Sequence, residues 1–265
     1  MSAPNPSSPA SRTATPPPAQ AASPASPGPG GRSRRRQILE FLALLLGAFA
    51  LRSFVAEPYE IPTGSMLPTV QIGDRVVISK LAYGARIPGT PHDQIRWASP
   101  KRGDIVVLLN PKEGMPDLAK RVVALPGDVV EVRDGRLSLN GHELPEWPIS
   151  GDCYDEDRDE KTQQWYRVKC MAFKQALDGT TFVIHHVPSA APPDFGPVTV
   201  EPDHAFLMGD NRDRSLDSRW FGAVPIGKLK GKAFGILWST GPDGIRWNRL
   251  LAPIRAPDVE LTAAN

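Results

Sequence analysis

The sequence predicts a mainly antiparallel β protein carrying one N-terminal membrane-spanning helix. Three observations predict it. Beyond Pro58 the chain breaks into short Val- and Ile-rich segments separated by Gly, Pro, Asn and Asp, the pattern of strands and tight turns. No long amphipathic helical pattern follows. One apolar run, Ile38–Ala56, stands near the N-terminus, and its 19 residues at 1.5 Å each reach about 28 Å, close to the ~30 Å hydrocarbon core of a bilayer.

Residues 1–36 hold nine of the 29 prolines, with seven Ser and seven Ala. A segment so poor in apolar side chains cannot offset its ordering entropy, so it is expected to be a disordered tail. It ends in the cluster Arg32, Arg34, Arg35 and Arg36. The anchor is expected over 37–57. Glu40, Arg52 and Ser53 interrupt it off-centre, where charges can snorkel to the interfaces. The Arg cluster keeps the N-terminus cytoplasmic by the positive-inside rule. Everything after Ala56 is then placed outside the cytoplasmic membrane, on the outer or periplasmic side of a single-pass protein. Ala48-Phe49-Ala50 has the small-x-small form of a signal cleavage site. The long preceding tail, and an apolar run that continues past Ala50, favour a retained anchor instead.

Asp74–Lys80, Gly103–Leu109, Arg121–Ala124 and Asp128–Val132 read as strands, with Pro126-Gly127-Asp128 a turn between the last two. Arg136–Leu139, Asn140-Gly141 and His142–Leu144 read as a hairpin with a type I′ turn. Strand character returns at Ala205–Met208 and Ala233–Trp238. These elements suggest a catalytic core in two parts, 58–134 and 201–252. Between them lies an inserted β-rich subdomain, 135–200, and a C-terminal tail, 253–265, follows. The acidic stretch Asp152–Glu160 reads as a solvated loop.

The net charge is +2, from 31 basic and 29 acidic residues. Five Arg fall in residues 1–36, leaving 26 basic against 29 acidic in the remainder. The folded part therefore lacks the basic surplus that a nucleic-acid-binding domain needs. Two cysteines are too few for a disulfide scaffold. Cys153 and Cys170 with His185 and His186 lack the close cysteine pair of a zinc knuckle. In an oxidising compartment a disulfide closing the 16 intervening residues is favoured, with two free thiols as the alternative. Gly222–Leu229 misses a phosphate loop, because Leu229 stands where a hydroxyl must meet Mg²⁺.

Three segments carry chemistry. Pro62-Thr63-Gly64-Ser65-Met66-Leu67-Pro68-Thr69 places Ser65 nine residues beyond Ala56. Gly64 lets another backbone approach the serine, and the prolines stiffen both sides. The plain alternative is a turn with an incidental serine. A serine nucleophile needs a base. None of His92, His142, His185, His186 and His204 sits in a triad-like context, and most are expected to be exposed. Lys120 precedes the apolar strand Arg121–Leu125, where burial would lower its amine toward neutrality. Arg121, on the opposite side, would meet solvent. Two ordinary surface cations are the alternative. The third segment, Met208–Gly222, is dense in small polar and charged residues. It is either a solvated loop or a network that fixes a catalytic group. Asp217 and Arg219 in it are spaced to share one side of an extended chain.

In this order behind an anchor, the segments resemble the conserved boxes of the bacterial type I signal peptidases. Gly64–Thr69 resembles the nucleophile box. Gly73-Asp74 through Lys80–Gly84 resembles the next box, and Lys120–Asp128 the general-base box. Gly209–Asp213 with Ser215, Asp217, Ser218 and Arg219 resembles the last. The resemblance is strong over about 57–134 and 201–240, weak over 135–200 and absent over 1–31. It implies a membrane-bound serine endopeptidase that cuts signal peptides from exported preproteins after small-x-small sites. Ser65 would be the nucleophile and Lys120 the base. The Ser65 N–H and Thr63 hydroxyl would form the oxyanion hole, Thr63 standing where many members have Ser. Ser215 would hold the Lys120 amine, Asp217 and Arg219 would brace the site, and Asp210 would support it. Ile61, Pro62, Met66 and Ala119 would line two shallow pockets, the substrate adding as a strand between the Pro62 and Ala119 segments. Met66 and Leu67 would touch lipid, and Trp238 would either do the same or belong to the core. No metal or cofactor is implied.

Two other classes share some of these features. Self-cleaving repressors with a Ser-Lys dyad are soluble and carry a helix-turn-helix, neither of which fits this sequence. A non-enzymatic anchored β protein would keep Lys120 near its ordinary pKa.

Overall fold

The computed structural model describes residues 34–50, 56–86, 94–112, 114–159, 161–190 and 193–254. The expectations for the tail before residue 34, the anchor's 51–55, His92 and the end beyond 254 lie outside them.

The first element is a 17-residue helix, Arg34–Ala50. It starts inside the arginine cluster. Arginine is a good helix former, and Arg36 pairs with Glu40 one turn on at 3.0 Å. The anchor's expected end at 57 is corrected. Ala56 and Glu57 open an edge strand, Ala56–Glu60, paired antiparallel with Ser79 and Ile78. Pro58 explains the change, because a residue before proline is pushed out of helical conformation and an edge strand tolerates the missing donor. Among the described residues, no helix is long and apolar enough to cross a membrane.

The rest is mainly antiparallel β. The largest sheet runs, in spatial order, Ala56–Glu60, Asp74–Ser79, Leu229–Gly241, Ile105–Leu108, Leu118–Ala124, His204–Met208 and Val224–Pro225. The 13-residue strand Leu229–Gly241 also takes Gly244–Ile245 at its far end and Ala252–Pro253 at its middle. Alternation governs these strands: Asp74–Ser79 buries every second side chain. Lys120 lies inside its strand, which starts at Leu118 rather than Arg121.

A second sheet joins Phe195–Thr199, Val129–Arg133, Arg136–Leu139 and His142–Glu143. Asn140 and Gly141 have φ of +54° and +79°, as the type I′ turn requires. The boundary expected at 134/135 falls within this sheet's first hairpin. A third sheet is built on the long strand Trp165–Leu177, flanked by Cys153–Arg158, Glu146–Pro148 and Thr180–His186. The acidic stretch is therefore corrected: it is a strand with Asp155 buried. Its partners supply what a loop would have taken from water, backbone bonds from Trp165–Cys170 and side-chain bonds to Asp155 from His185 and Asn211.

Two apolar clusters position the site. Ile61, Met66, Val70, Val76, Ile78 and Ala119 pack beneath the Ser65 turn. Val123, Val130, Leu137, Phe182, Ile184 and Phe206 join the first sheet to the other two.

Candidate active site

Ser65 sits in a single 3₁₀ turn, Gly64–Met66. Met66 anchors the turn in the apolar cluster and is 1% exposed. Leu67 is buried too, so the expected lipid contact of these two residues is corrected: both turn inward to fill the core. The backbone bonds that close the turn use the N–H groups of Leu67 and Val70. Ser65 lies in the turn's first residues, whose N–H groups have no partner within the turn. Thr63 precedes it in extended conformation, half-buried, and its hydroxyl caps nothing.

The strand Leu118–Ala124 carries Lys120 to this turn. Lys120 Nζ stands 2.7 Å from Ser65 Oγ and donates to the Ala119 carbonyl at 2.9 Å. Lys120 is 1% exposed and Ser65 8%. Burial pushes the Lys120 amine from 10.5 down to about 8. Asp217 and Asp210 pull the other way, and Arg219 adds to the lowering.

Both carboxylates are already engaged. Asp210 receives Arg121 at both oxygens, at 2.7 and 2.6 Å, and the Thr69 hydroxyl at 2.5 Å. Arg121 thus departs from the expectation of a solvent-facing cation. It does leave the strand opposite to Lys120, but that side is also interior. There its guanidinium stacks 3.9 Å over Phe182 and donates to the Gly103 carbonyl. Asp217 caps a one-turn helix, Ser218–Phe221, by accepting from the Arg219 N–H. It also accepts from Gly209 N–H at 3.0 Å and from the Arg219 guanidinium at 2.9 and 2.8 Å. Burial pushes the Asp217 carboxyl up, but the Arg219 bonds outweigh this and hold it below its ordinary value.

Ser215 makes no hydrogen bond to Lys120. Its hydroxyl is buried and makes no hydrogen bond of ordinary geometry among the described residues, although it helps hold the Asp217 carboxyl low. The expected Ser215–Lys120 bond is replaced by the Ala119 carbonyl. Of the expected pocket residues, Ile61, Met66 and Ala119 share one apolar cluster, and Pro62 is exposed at its rim. Cys153 and Cys170 face each other across two strands and are joined by a disulfide, Cα–Cα 5.0 Å. The bonded sulfurs lie beside His185 and have no thiolate to offer a metal.

Sequence reasoning missed a second polar group behind the turn. His185 is buried rather than exposed, and pairs with Asp155 at 2.7 Å. His186 is partly buried against Asp213 and Glu146. Arg212 is fully buried: Nη2 donates to Gln175 at 2.5 Å, and burial lowers the guanidinium to about 10. Nothing local marks these residues, because their partners come from strands far apart in sequence.

The sequence model of the family described as "Signal peptidase, peptidase S26" matches residues 34–238. The chain belongs to the signal peptidase family. Signal peptidase I of Pseudomonas fluorescens is 34% identical over 214 residues, covering 77% of this chain and 72% of that protein. Signal peptidase I of Pseudomonas aeruginosa is 35% identical over 222 residues, with the same coverage. That of Aquifex aeolicus is 31% identical over 232 residues, covering 77% of this chain and 84% of its own. As a signal peptidase the chain is a serine endopeptidase, and signal-peptide-bearing preproteins are its family's substrates.

Proposed function

We propose that this protein is a membrane-bound signal peptidase that cuts after small-x-small sites by acyl transfer through Ser65 and Lys120. The contact of 2.7 Å between Lys120 Nζ and Ser65 Oγ carries the reading. A buried amine near pKa 8 is neutral in an appreciable fraction of molecules at neutral pH, as a general base must be. Ser65 Oγ attacks the carbonyl carbon before the scissile bond and gives its proton to Lys120. The Ser65 N–H and Thr63 hydroxyl receive the oxyanion. The C–N bond then breaks as Lys120 protonates the leaving amine. Water attacks the acyl-enzyme, Lys120 takes its proton, and that proton returns to Ser65. Asp217–Arg219 and Asp210–Arg121 fix the surroundings. The cycle assigns no step to a metal or cofactor.

The substrate adds as a strand. Residues 118–120 pair on one side with Val106–Leu108, whereas pairing on the other side begins only at Arg121. That leaves an edge beside Lys120 for an extended peptide. Ile61, Met66 and Ala119 form an apolar floor for two small side chains.

The bilayer is the second partner. The apolar run 38–56 supports a single-pass anchor with the arginines cytoplasmic and the catalytic domain on the outer face. Trp238, Trp247, Leu250 and Leu251 are exposed near the end of the long strand, Trp247 by 71%. Such aromatic groups suit a membrane interface.

The test is cleavage of a preprotein bearing an A-x-A site by wild type, Ser65→Ala and Lys120→Ala in detergent. Mass spectrometry reads the new N-terminus. A cut directly after the second Ala, lost in both variants, is the expected result. Equal cutting by Lys120→Ala would remove the base assignment.

A further inference from the structure

A buried polar relay connects the third sheet to the Ser65 turn. His185 Nδ1–H donates to Asp155 Oδ1 at 2.7 Å. Asp155 Oδ2 accepts from Asn211 Nδ2–H at 2.9 Å, and the second hydrogen of that amide reaches the Gly64 carbonyl at 3.2 Å. The Asn211 backbone N–H donates to the Ser65 carbonyl at 3.2 Å. Asp155, Asn211 and His185 are all buried, Asp155 to 2% exposure. A carboxylate taken that far out of water is costly unless both oxygens are bound, and here both are.

We infer that Asp155 and His185 are positioning residues for the oxyanion hole, acting through Asn211 on the Gly64–Ser65 peptide. The inference rests on the function proposed above. A trans peptide unit is planar, with its C=O and N–H pointing in opposite directions, and the Gly64–Ser65 bond is not among the cis bonds of the chain. The Gly64 oxygen is held by the Leu67 N–H at 3.1 Å and by the Asn211 amide, and Asn211 fixes its direction from outside the turn, which aims the Ser65 N–H the opposite way, toward where an oxyanion forms. Asn211 alone cannot set this direction, because an amide can flip. The acceptor-only carboxylate of Asp155 forces its NH₂ to face both Asp155 and Gly64. His185 holds the carboxylate in turn. The strand bearing His185 is also tied to the same loop by its N–H, which donates to the Asp210 carbonyl at 2.9 Å.

Asp155→Asn tests this with no change of shape. Its amide has one acceptor oxygen for two donors, so either Asn211 flips or His185 moves its proton to Nε2 and accepts at Nδ1. If its NH₂ faces Asn211, Asn211 must flip and set its own oxygen against the Gly64 carbonyl. The expected result is a fall in kcat of about 10²-fold, the scale of a misplaced catalytic group, with KM little changed. His185→Gln keeps a donor for Asp155 and is expected to retain activity, whereas His185→Phe falls with Asp155→Asn. A peptide aldehyde ending at the scissile residue places an oxyanion on the Ser65 N–H. Its affinity should fall in step with kcat, while the matching peptide alcohol binds unchanged. Melting temperature and the state of the Cys153–Cys170 bond are measured for each variant. If Asp155→Asn does not fold, the His185 pair decides, and equal kcat for Gln and Phe overturns the inference. Equal loss of aldehyde and alcohol binding also overturns it, since that marks a collapsed substrate site. A wild type that fails to cut an A-x-A preprotein removes the proposed function and this inference with it. A wild type that cuts beside equally fast Asp155→Asn and His185→Phe variants removes the inference alone.

Discussion

Asp217 is bound by Arg219 at both oxygens, Oδ1 to Nε at 2.9 Å and Oδ2 to Nη2 at 2.8 Å, so the Arg219 cation offsets part of the pull that Asp217 exerts on Lys120. A buried lysine beside an unpaired carboxylate would be held as a cation. Here each nearby carboxylate has its own arginine, Arg219 for Asp217 and Arg121 for Asp210. Desolvation of Lys120 then prevails.

Arg219→Gln should move the acid limb of kcat/KM upward. Arg219 lowers the Lys120 pKa, so its loss raises that pKa above about 8 and shrinks the neutral fraction at pH 7. Activity should drop most at neutral pH and recover as pH rises. A pH profile checks this; a loss of the same factor at every pH would mean that Arg219 only supports the fold.

Lys120→Met should be inactive but more stable than wild type near pH 7. The folded pKa of about 8 lies below the unfolded value of 10.5. Between those values the unfolded chain binds more protons than the folded one, so wild-type stability rises with pH across that window. Below about 8 the full cost of burying the cation is present, on the order of 3 kcal/mol. Urea unfolding of the two proteins should differ by that order at pH 7, and the gap should close toward pH 10.5. No gap at pH 7 would mean that the amine is not strained by burial.

Arg121→Met should cost more stability than any exposed charge change. It leaves the Asp210 carboxylate, 0% exposed, with only the Thr69 hydroxyl as a side-chain partner. Removing one member of a buried ion pair costs about 3–5 kcal/mol. Urea midpoints measure it, and Arg121→Met/Asp210→Asn should recover part of the loss.

The main strands were legible because alternation and turn residues are local signals, whereas the Lys120–Ser65 approach was legible only through the resemblance of the motifs, a lysine at a strand start reading equally well as a surface cation. Arg121 was misjudged because alternation says only that it opposes Lys120. Whether the opposite side is solvent depends on Phe182 and Asp210, which arrive from a distant strand and a distant loop. Asp155 and His185 were illegible for the same reason. An acidic run reads as solvated until something shows that its alternate residues face a second sheet. Met66 and Leu67 look like lipid contacts in sequence, but the 3₁₀ turn points both inward. The Ala119 carbonyl, a backbone group no sequence motif records, is the acceptor Lys120 uses beside Ser65.

Reducing the Cys153–Cys170 bond should destabilise the third sheet by about 3 kcal/mol, the usual scale for a loop of this length. The bond pins Cys153–Arg158 to Trp165–Leu177, two residues from Asp155. Hydrogen exchange should therefore quicken in those two strands before it does in Leu118–Ala124. Uniform quickening would show that the sheets unfold as one unit.

Gly209→Ala should disable the enzyme with little change in what the surface presents. A Cβ on Gly209 would stand 2.3 Å from the Ser65 carbonyl oxygen and 2.3 Å from Ser215 Oγ, distances no atom pair can hold. Its backbone N–H is already given to Asp217, so the glycine cannot withdraw without breaking the Asp217 network. The Ser65 turn must move instead, and with it the contact to Lys120. A shift of about 1 Å at a reacting group costs roughly 10²-fold in rate. Preprotein cleavage should therefore fall by at least that order. Full activity in Gly209→Ala would mean that Ser65 and the 209–215 loop are less tightly apposed than these distances require.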